Sequence, residues 1–341
     1  MTTLMLGMQN SLLVLESSIN SWKSKEYLKG THPQSISFDP QNPDIAYCGT
    51  FGDNLWKTVN GGQTWSNVGK DVISSPYVMS VAVSSLNRAN GFARIYAGTE
   101  PSAFYVSKNG GDSWESMNTL NELPSSKSWS FPPRPWTHHV RWIEPDSNKP
   151  EYVFVAIEAG ALVQSHDGGK TWIDRDEKQG PYDTHNLATH CKAPKRLYSA
   201  AGDGYFESLE YGKSWTRPME GLRHDYLFGI AVDSGDPDVV IISASNGPST
   251  SYSSQNAETF VYRKDSECKD WKVVTDGLPE SEGSTIMCFA ANQRAPGEFY
   301  AANNHGLFES NDSGKSWKRL DTPWPKEYLQ QTPWALAING S

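Results

Sequence analysis

The feature that most constrains this chain is an eight-residue motif that recurs along it. The motif reads Ser/Thr-x-Asp/Asn-x-Gly-x-Ser/Thr-Trp, and its four good copies end at Trp65, Trp114, Trp172 and Trp317. Weaker copies end at Trp22, Trp215 and Trp271. The acid or amide side chain can cap backbone N–H groups in a tight turn, and the glycine supplies a residue with positive φ. A turn repeated in this way predicts a repeat architecture.

The spacing of the seven tryptophans sets the size of the repeat. They stand roughly 43 to 58 residues apart, which is the length of one four-stranded propeller blade. The 28 glycines, 21 prolines and many aromatic residues favour strands and turns over long helices. We therefore predict an all-β fold, a seven-bladed β-propeller with one of these turns in each blade.

The two ends of the chain complete the seventh blade in this interpretation. The segment 335–338 reads as a first strand with no chain left to pair with it, whereas the segments 4–8, 12–15 and 22–27 read as three strands without a first one. We predict a single domain over residues 1–341, with blade 7 built from 1–30 and 332–341. Such closure removes free sheet edges.

The motif resembles the Asp box of sialidases, sortilin-type receptors and xyloglucanases. The resemblance covers nearly the whole chain, and it implies an architecture without specifying a chemistry. The Arg-Ile-Pro motif of true sialidases is missing, and seven blades are expected here where sialidases have six. Xyloglucanase-like enzymes use two propellers that face a cleft, which one propeller cannot form. The Asp-box photosystem II assembly factor, by contrast, docks a partner on its disc face.

The same resemblance implies that the first strands line a central channel and begin at one of its mouths. Histidines recur at these strand starts, and the candidate metal ligands are His32, His138, His185 and His224. Imidazoles beside carboxylates suit a divalent transition metal, which is the possible cofactor. The alternative is that these histidines are ordinary polar residues of a solvated surface.

Other polar and aromatic residues are predicted at the same mouth. The candidate catalytic residues, which could act as acids, bases or charge-stabilising groups, are Glu100, His139, Arg141 and Glu158. The candidate ligand-binding residues are Tyr77, Trp129, Trp136, Asp203, Tyr226, His305 and Trp334. Two of these belong to a segment rich in proline and aromatics, 122–136, which is either a lid or a packed surface loop. Arg141 is unusual in our strand alignment, because the other blades place Ile36, Val81, Ala188, Ile230, Phe289 and Leu336 at its position.

Charge and composition narrow the function classes. The net charge of −9 argues against nucleic acid as a partner. No apolar run is long enough to span a membrane, no secretion signal is readable at the N-terminus, and the four cysteines lack zinc-ligand spacing. These features lead us to expect a cytoplasmic protein.

Two functional hypotheses remain open at the level of sequence. The first is an enzyme of the hydrolase or lyase type, with or without a metal ion, that acts on a small molecule or glycan at the channel mouth. The second is a non-catalytic propeller scaffold that binds a protein or carbohydrate. A deep pocket with shifted pKa values would favour the enzyme, and a flat solvated mouth would favour the scaffold.

Overall fold

The computed structural model describes residues 2–18, 21–174 and 180–339. Within these residues the chain forms seven small antiparallel sheets, each of three or four strands. This confirms the predicted fold class, a seven-bladed β-propeller. Residues 1, 19, 20, 340 and 341, which the predicted closing segments include, lie outside the described residues.

The strands follow one another in chain order with short connections. They are β1 (Thr3–Gly7), β2 (Leu12–Ser18), β3 (Ser21–Tyr27), β4 (Pro33–Asp39), β5 (Asn42–Thr50), β6 (Leu55–Thr58), β7 (Ser66–Val68), β8 (Val78–Ala89), β9 (Phe92–Thr99), β10 (Phe104–Ser107), β11 (Glu115–Ser116), β12 (Val140–Pro145), β13 (Val153–Ile157), β14 (Ala161–Ser165), β15 (Thr184–Thr189), β16 (Leu197–Ala201), β17 (Gly204–Ser208), β18 (Tyr226–Val232), β19 (Val240–Ser245), β20 (Phe260–Lys264), β21 (Lys272–Val274), β22 (Cys288–Ala291), β23 (Phe299–Asn303), β24 (Gly306–Ser310), β25 (Lys318–Arg319) and β26 (Ala335–Ile338). Short 3-10 helices cover Asn118–Glu122, Pro124–Ser128, Pro248–Thr250 and Lys326–Gln330.

The sheets are arranged around a central channel. Blades 1 to 6 begin with β4, β8, β12, β15, β18 and β22, and each of these strands packs beside the next around the ring. Strand β26 completes the circle between β22 and β4. The first strand of every blade therefore lines the channel, as the resemblance implied.

Blade 7 joins the two ends of the chain. Its strand order is β26-β1-β2-β3, with Leu4 opposite Ile338 and Gly7 opposite Ala335. The strands β1 and β2 are almost wholly buried because their apolar side chains contact the neighbouring blades. The predicted closure of the ring by N- and C-terminal strands is confirmed.

Most of the core lies between adjacent blades. Tyr96 and Phe104 of blade 2, for example, share one buried cluster with Val155 and Ile157 of blade 3. Side chains alternate between the two faces of each strand. Both faces of a blade are apolar because each of them packs against a neighbouring blade. Blades 3 and 4 have three strands each, and an isolated bridge, Gln164 to Ile173 or Glu207 to Thr216, replaces the fourth.

The recurring turns lie on the face opposite the predicted mouth, next to the loops that join first and second strands. Asp167 Oδ1 accepts hydrogen bonds from the backbone N–H groups of Lys170 and Thr171, at 3.0 and 2.9 Å. Ser165 Oγ accepts another from Gly169, which has a φ of +95°. The backbone N–H of Gly168 donates to the carbonyl of Glu151 at 2.8 Å and so attaches the turn to that loop. The turn satisfies its own polar groups, as its sequence predicts.

Candidate functional site

A β-bulge near the start of the inner strands shapes the channel mouth. The register of β12 shifts between Val140 and Trp142, and that of β15 shifts between Thr184 and Asn186. The extra residues are therefore Arg141 and His185. A bulge redirects a side chain relative to its strand, and here it places two polar residues of adjacent blades beside each other.

The bulge also corrects our strand alignment. The inner strands β4, β8 and β18 shift register at the same place, so the equivalents of Arg141 are Gln34, Met79, His185 and Phe228. The apolar residues that we aligned with Arg141, such as Ile36 and Val81, correspond instead to Ile143. The alignment was wrong because an inserted residue changes the side-chain alternation that it assumed.

His139 lies at the centre of a buried ionic cluster. Its imidazole is 1% exposed and stands between two carboxylates, with Nε2 2.7 Å from Glu158 Oε2 and Nδ1 3.3 Å from Glu100 Oε2. Burial lowers the pKa of His139, but the two carboxylates outweigh burial and raise this pKa above its usual value. The charged imidazolium form is therefore favoured.

Glu158 contacts nitrogen-bearing side chains of two blades. Besides His139, it contacts Arg141 Nε at 3.5 Å and His185 Nε2 at 3.6 Å. Burial alone would raise the pKa of Glu158, but its neighbours, His139 foremost, lower it to about 2. The carboxylate is thus held ionised well below neutral pH.

Glu100 ties the aromatic segment 122–136 to the mouth. Arg134 binds it in a bidentate pair, with Nε 2.8 Å from Oε1 and Nη2 2.6 Å from Oε2. Although burial opposes ionisation, His139 and Arg134 lower the pKa of Glu100 to about 2. The guanidinium of Arg134 also stacks on the rings of Phe131 and Phe51, at 4.7 and 5.2 Å. The segment is held down by these contacts.

A second group of polar side chains meets at the boundary of blades 3 and 4. His185 Nδ1 is 2.5 Å from the Leu227 carbonyl, so this nitrogen carries the donated proton. The other nitrogen, Nε2, is buried without a hydrogen-bond partner and lies 3.6 Å from both Glu158 Oε1 and Asp183 Oδ2. Burial, together with the charge of Glu158, raises the pKa of Asp183.

Among the described residues, this second group could hold a cation. Ligand atoms of Glu158, Asp183 and His185 all lie within 4.8 Å of one another. Two ligand atoms that are each about 2.1 Å from a tetrahedral ion stand about 3.4 Å apart, close to the 3.6 Å separations observed. Gly202 leaves the space beside Asp183 open, since a Cβ there would collide with Asp183 Oδ2 and approach the imidazole of His185.

Aromatic side chains form the adjoining wall. The hydroxyls of Tyr226 and Tyr252 are 2.5 Å apart, and Tyr252 stacks on Trp334 with ring centroids 5.5 Å apart. Phe228 completes the wall and contacts the guanidinium of Arg141 at 4.8 Å. Tyr252 comes from the polar stretch 245–258. This stretch is anchored by the ring contacts of Tyr252 and by Ser251, whose Oγ donates to the Gly247 carbonyl at 2.7 Å.

The four histidines proposed as metal ligands do not converge. His32 is exposed, and the ring of His138 packs against Trp129 at 5.5 Å. His224 stacks on Phe260 and its Nδ1 lies 2.6 Å from the Tyr262 hydroxyl. They belong to inner-strand starts of four different blades, and His185 alone among the four has carboxylates at its free nitrogen.

The predicted ligand-binding residues are placed at different depths. Tyr226 and Trp334 belong to the aromatic wall, and Asp203 lies at 3.4 Å from the backbone nitrogen of Asp183. Trp129 is buried in the core of blade 3, out of reach of a ligand, whereas Trp136 is 80% exposed. Tyr77 packs on Phe51 at 4.5 Å, and His305 stands apart in blade 6, where Nε2 is 3.3 Å from the Gly283 carbonyl.

Sequence reasoning missed Asp183 and Tyr252. A signal for the first was present, since Asp183 occupies in blade 4 the position that His139 occupies in blade 3, one residue before the strand begins. No comparable signal marks Tyr252, because its long loop has no counterpart of similar sequence in the other blades.

The chain falls into the class of seven-bladed β-propellers. None of the described residues belongs to a helix long and apolar enough to cross a membrane. No family model matches the chain, and no curated protein matches it either.

Several solved structures share the fold. An ancestral GH74 enzyme has 17% identity and a TM-score of 0.64 over 84% of this chain and 38% of its own. The GH74 enzyme of Niastella koreensis has 15% identity and a TM-score of 0.63 over 92% of this chain and 54% of its own. YCF48 bound to D1 peptide has 19% identity and a TM-score of 0.62 over 91% of this chain and 88% of its own.

These comparisons establish the fold alone. The chain spans 38% and 54% of the two GH74 enzymes, and all three identities are below 20%. Neither an enzymatic nor a binding function follows from them. The relationship to the Asp-box family remains a prediction that rests on the turn motif.

Proposed function

We propose that this protein is a metal-assisted enzyme, of the hydrolase or lyase type, that acts on a small molecule or glycan at the mouth built by blades 3 and 4. The observation that carries the proposal is the free, buried Nε2 of His185 facing two carboxylates. With the proton of His185 on Nδ1, the Nε2 lone pair faces two negative oxygens, an arrangement that a cation bound between them would stabilise. One imidazole and two carboxylates are a ligand set that suits Zn²⁺ or Mn²⁺.

The surrounding residues fit such a role. The hydrogen bond from His185 Nδ1 to the Leu227 carbonyl fixes the ring and its tautomer, as a metal-binding histidine requires. His139 and Arg141 hold Glu158 ionised and in place. The side chain of Asp183 is 24% exposed, so one side of the group stays open for water and substrate.

The chemistry that an ion would supply there is the activation of water and the polarisation of a substrate oxygen. In a hydrolysis, the oxygen of the water would bond to the electrophilic atom while the bond from that atom to the leaving group breaks, and the proton released from the water would end on the leaving group. The residues of the chain bind, orient and exclude bulk solvent. The aromatic wall of Tyr226, Tyr252 and Trp334 offers flat faces to the body of a sugar or another ring.

The test combines metal binding with turnover. Chelator-treated protein is titrated with ZnCl₂ and MnCl₂ by calorimetry, and the loaded protein is assayed with chromogenic esters, phosphoesters and glycosides. We expect one ion per chain, at least tenfold weaker binding in Asp183→Asn and Gly202→Ala, and loss of turnover in both variants. Asp225→Asn, an exposed carboxylate at the same mouth, is the matched control and should bind as the wild type does.

Two outcomes would contradict the proposal. Absence of ion binding in the wild type removes its metal-assisted form. Ion binding without turnover on any substrate class removes the enzyme and favours the second candidate, a scaffold that docks a peptide. That candidate is supported by the full-length match to YCF48 bound to D1 peptide and by the exposed indole of Trp136 beside the mouth.

A further inference from the structure

The central channel contains a cavity that the proposed metal site does not use. The cavity measures about 480 Å³ and is lined by inner-strand residues of all seven blades. This volume lies within the range of pockets that hold small organic ligands. The wall includes Ile36, Val81, Phe228 and Leu336, and it is largely apolar.

Arg141 is the unusual group in this wall. Its side chain is 6% exposed, and its one ionic contact among the described residues is the 3.5 Å approach of Nε to Glu158. No described residue accepts a hydrogen bond from its terminal nitrogens Nη1 and Nη2. A guanidinium has five N–H donors, so those of Arg141 that face the cavity are available to a ligand that accepts hydrogen bonds.

The other titratable groups of the cavity are already satisfied. Glu144 accepts hydrogen bonds from the backbone N–H and the hydroxyl of Thr189, at 3.1 and 3.0 Å, and burial raises its pKa to about 7. His190 Nε2 lies 2.8 Å from the Asp233 carbonyl. Arg141 is therefore the charged group of this cavity that has no hydrogen-bond acceptor among the described residues.

We propose that the central channel binds a small organic carboxylate, whose anionic group pairs with Arg141 and whose apolar body contacts Phe228, Trp334 and Leu336. The planar guanidinium matches a carboxylate in a bidentate pair. Phe228 already stacks on the guanidinium at 4.8 Å and keeps it from turning away. The bulge in β12 directs Arg141 to this position while the strand on either side continues the sheet.

The inference deepens the proposed function, because Arg141 is shared between the cavity and Glu158. A carboxylate held by Arg141 would lie next to the group of Glu158, Asp183 and His185. The substrate class named here is therefore a small molecule with a carboxylate end. The claim that the bound molecule is also the substrate rests on the proposed function, whereas the binding itself does not.

The experiment measures binding in the presence of EDTA, so that the proposed metal site does not contribute. Acetate, hexanoate, benzoate and 3-phenylpropionate are titrated by calorimetry, with quenching of tryptophan fluorescence as a second readout because Trp142 and Trp334 line the cavity. Benzamide serves as the uncharged counterpart of benzoate. We expect at least one carboxylate to bind, with benzamide at least tenfold weaker than benzoate where benzoate is the ligand.

Variants separate pairing with Arg141 from general effects. Arg141→Leu should fold, since Met79 and Phe228 occupy the same bulge position in other blades, and it should weaken carboxylate binding at least tenfold. Arg141→Lys keeps the charge without the planar fork and should weaken binding less. Arg223→Leu, an exposed arginine just before β18, is the control and should leave binding unchanged.

Three results would overturn the inference. The first is that no carboxylate binds at 10 mM, about the weakest affinity of interest for a small ligand. The second is that benzamide and benzoate bind equally well. The third is that Arg141→Leu, with an intact circular dichroism spectrum, binds carboxylates as tightly as the wild type does. Carboxylate binding without turnover would leave the channel site standing and would contradict the enzyme alone.

Discussion

On the face that carries the recurring turns, Asp167 is held by Ser165, Lys170 and Thr171, all within four residues of it. At the opposite mouth, Glu158 is held by His139, Arg141 and His185, which lie 17 to 27 residues away and belong to two blades. The turn carboxylate is solvated and completes a local structure. The mouth carboxylate is only 12% exposed, and its environment exists only when two blades have come together. The turn carboxylate stabilises a hairpin, whereas the cluster around the mouth carboxylate leaves polar atoms unpaired, and a ligand can form hydrogen bonds with them.

Removal of Glu158 is expected to have the largest effect on stability. In Glu158→Ala the buried charges of His139 and Arg141 lose their shared partner, which typically costs about 3–5 kcal/mol. Urea denaturation at pH 7 measures the loss, with Glu122→Ala, an exposed carboxylate on the same side, as the control. A loss below about 1 kcal/mol would mean that the mouth carboxylate is no more important than a surface one.

The second largest effect is expected from acid, which should lower the free energy of unfolding by protonating carboxylates at the mouth. The pKa values of Glu100 and Glu158 are lowered to about 2 in the folded protein, from the ordinary glutamate value of 4.5. A depressed carboxylate pKa contributes stability above the unfolded-state pKa and loses it as the pH falls through the folded-state value. The free energy of unfolding of the wild type should therefore fall between about pH 4.5 and pH 2.

The Glu158→Gln variant provides the comparison for this acid effect. It lacks one of the two depressed carboxylates, so its free energy of unfolding should fall less over the same range. Urea unfolding at pH 7, 5, 4 and 3 compares the two proteins. Parallel curves would show that the charge of Glu158 contributes nothing to folding.

The turn carboxylate should give the smallest effect. Asp167→Ala removes the acceptor of two backbone N–H groups and should cost about 1 kcal/mol. Asp167→Asn should cost under about 0.5 kcal/mol, because Asn60 and Asn109 hold other copies of the turn. Each accepts a backbone N–H, of Thr64 or Ser113, at 2.9 Å, and donates Nδ2 to the hydroxyl of the same residue at 2.9 or 2.8 Å. Thermal unfolding of both variants tests this, and a larger loss in Asp167→Asn than in Asp167→Ala would contradict it.

The same contrast explains what could be predicted from the sequence. The turns were readable because the side chains that hold each one belong to its own eight residues, and their spacing then indicated the blades and the closure of blade 7. The mouth was predicted in outline, since His139, Glu100, Glu158 and Arg141 do meet there. The finer arrangement of the mouth was not predicted, because bulges in β12 and β15 shift the side chains by one residue and no local pattern in the sequence marks a bulge. Asp183 and Tyr252 went unnoticed for the related reason that their partners lie in other blades.

The pairing of β26 with β1 has a consequence for biosynthesis. A ribosome that adds about 5–20 residues per second needs roughly 15 to 65 s to travel from the end of β1 to the start of β26. During that interval the apolar edge formed by Leu4, Met5 and Leu6 has no strand beside it. The nascent chain therefore carries an unpaired sheet edge until the last blade is made, and a chaperone that covers β1 would protect the protein for this period.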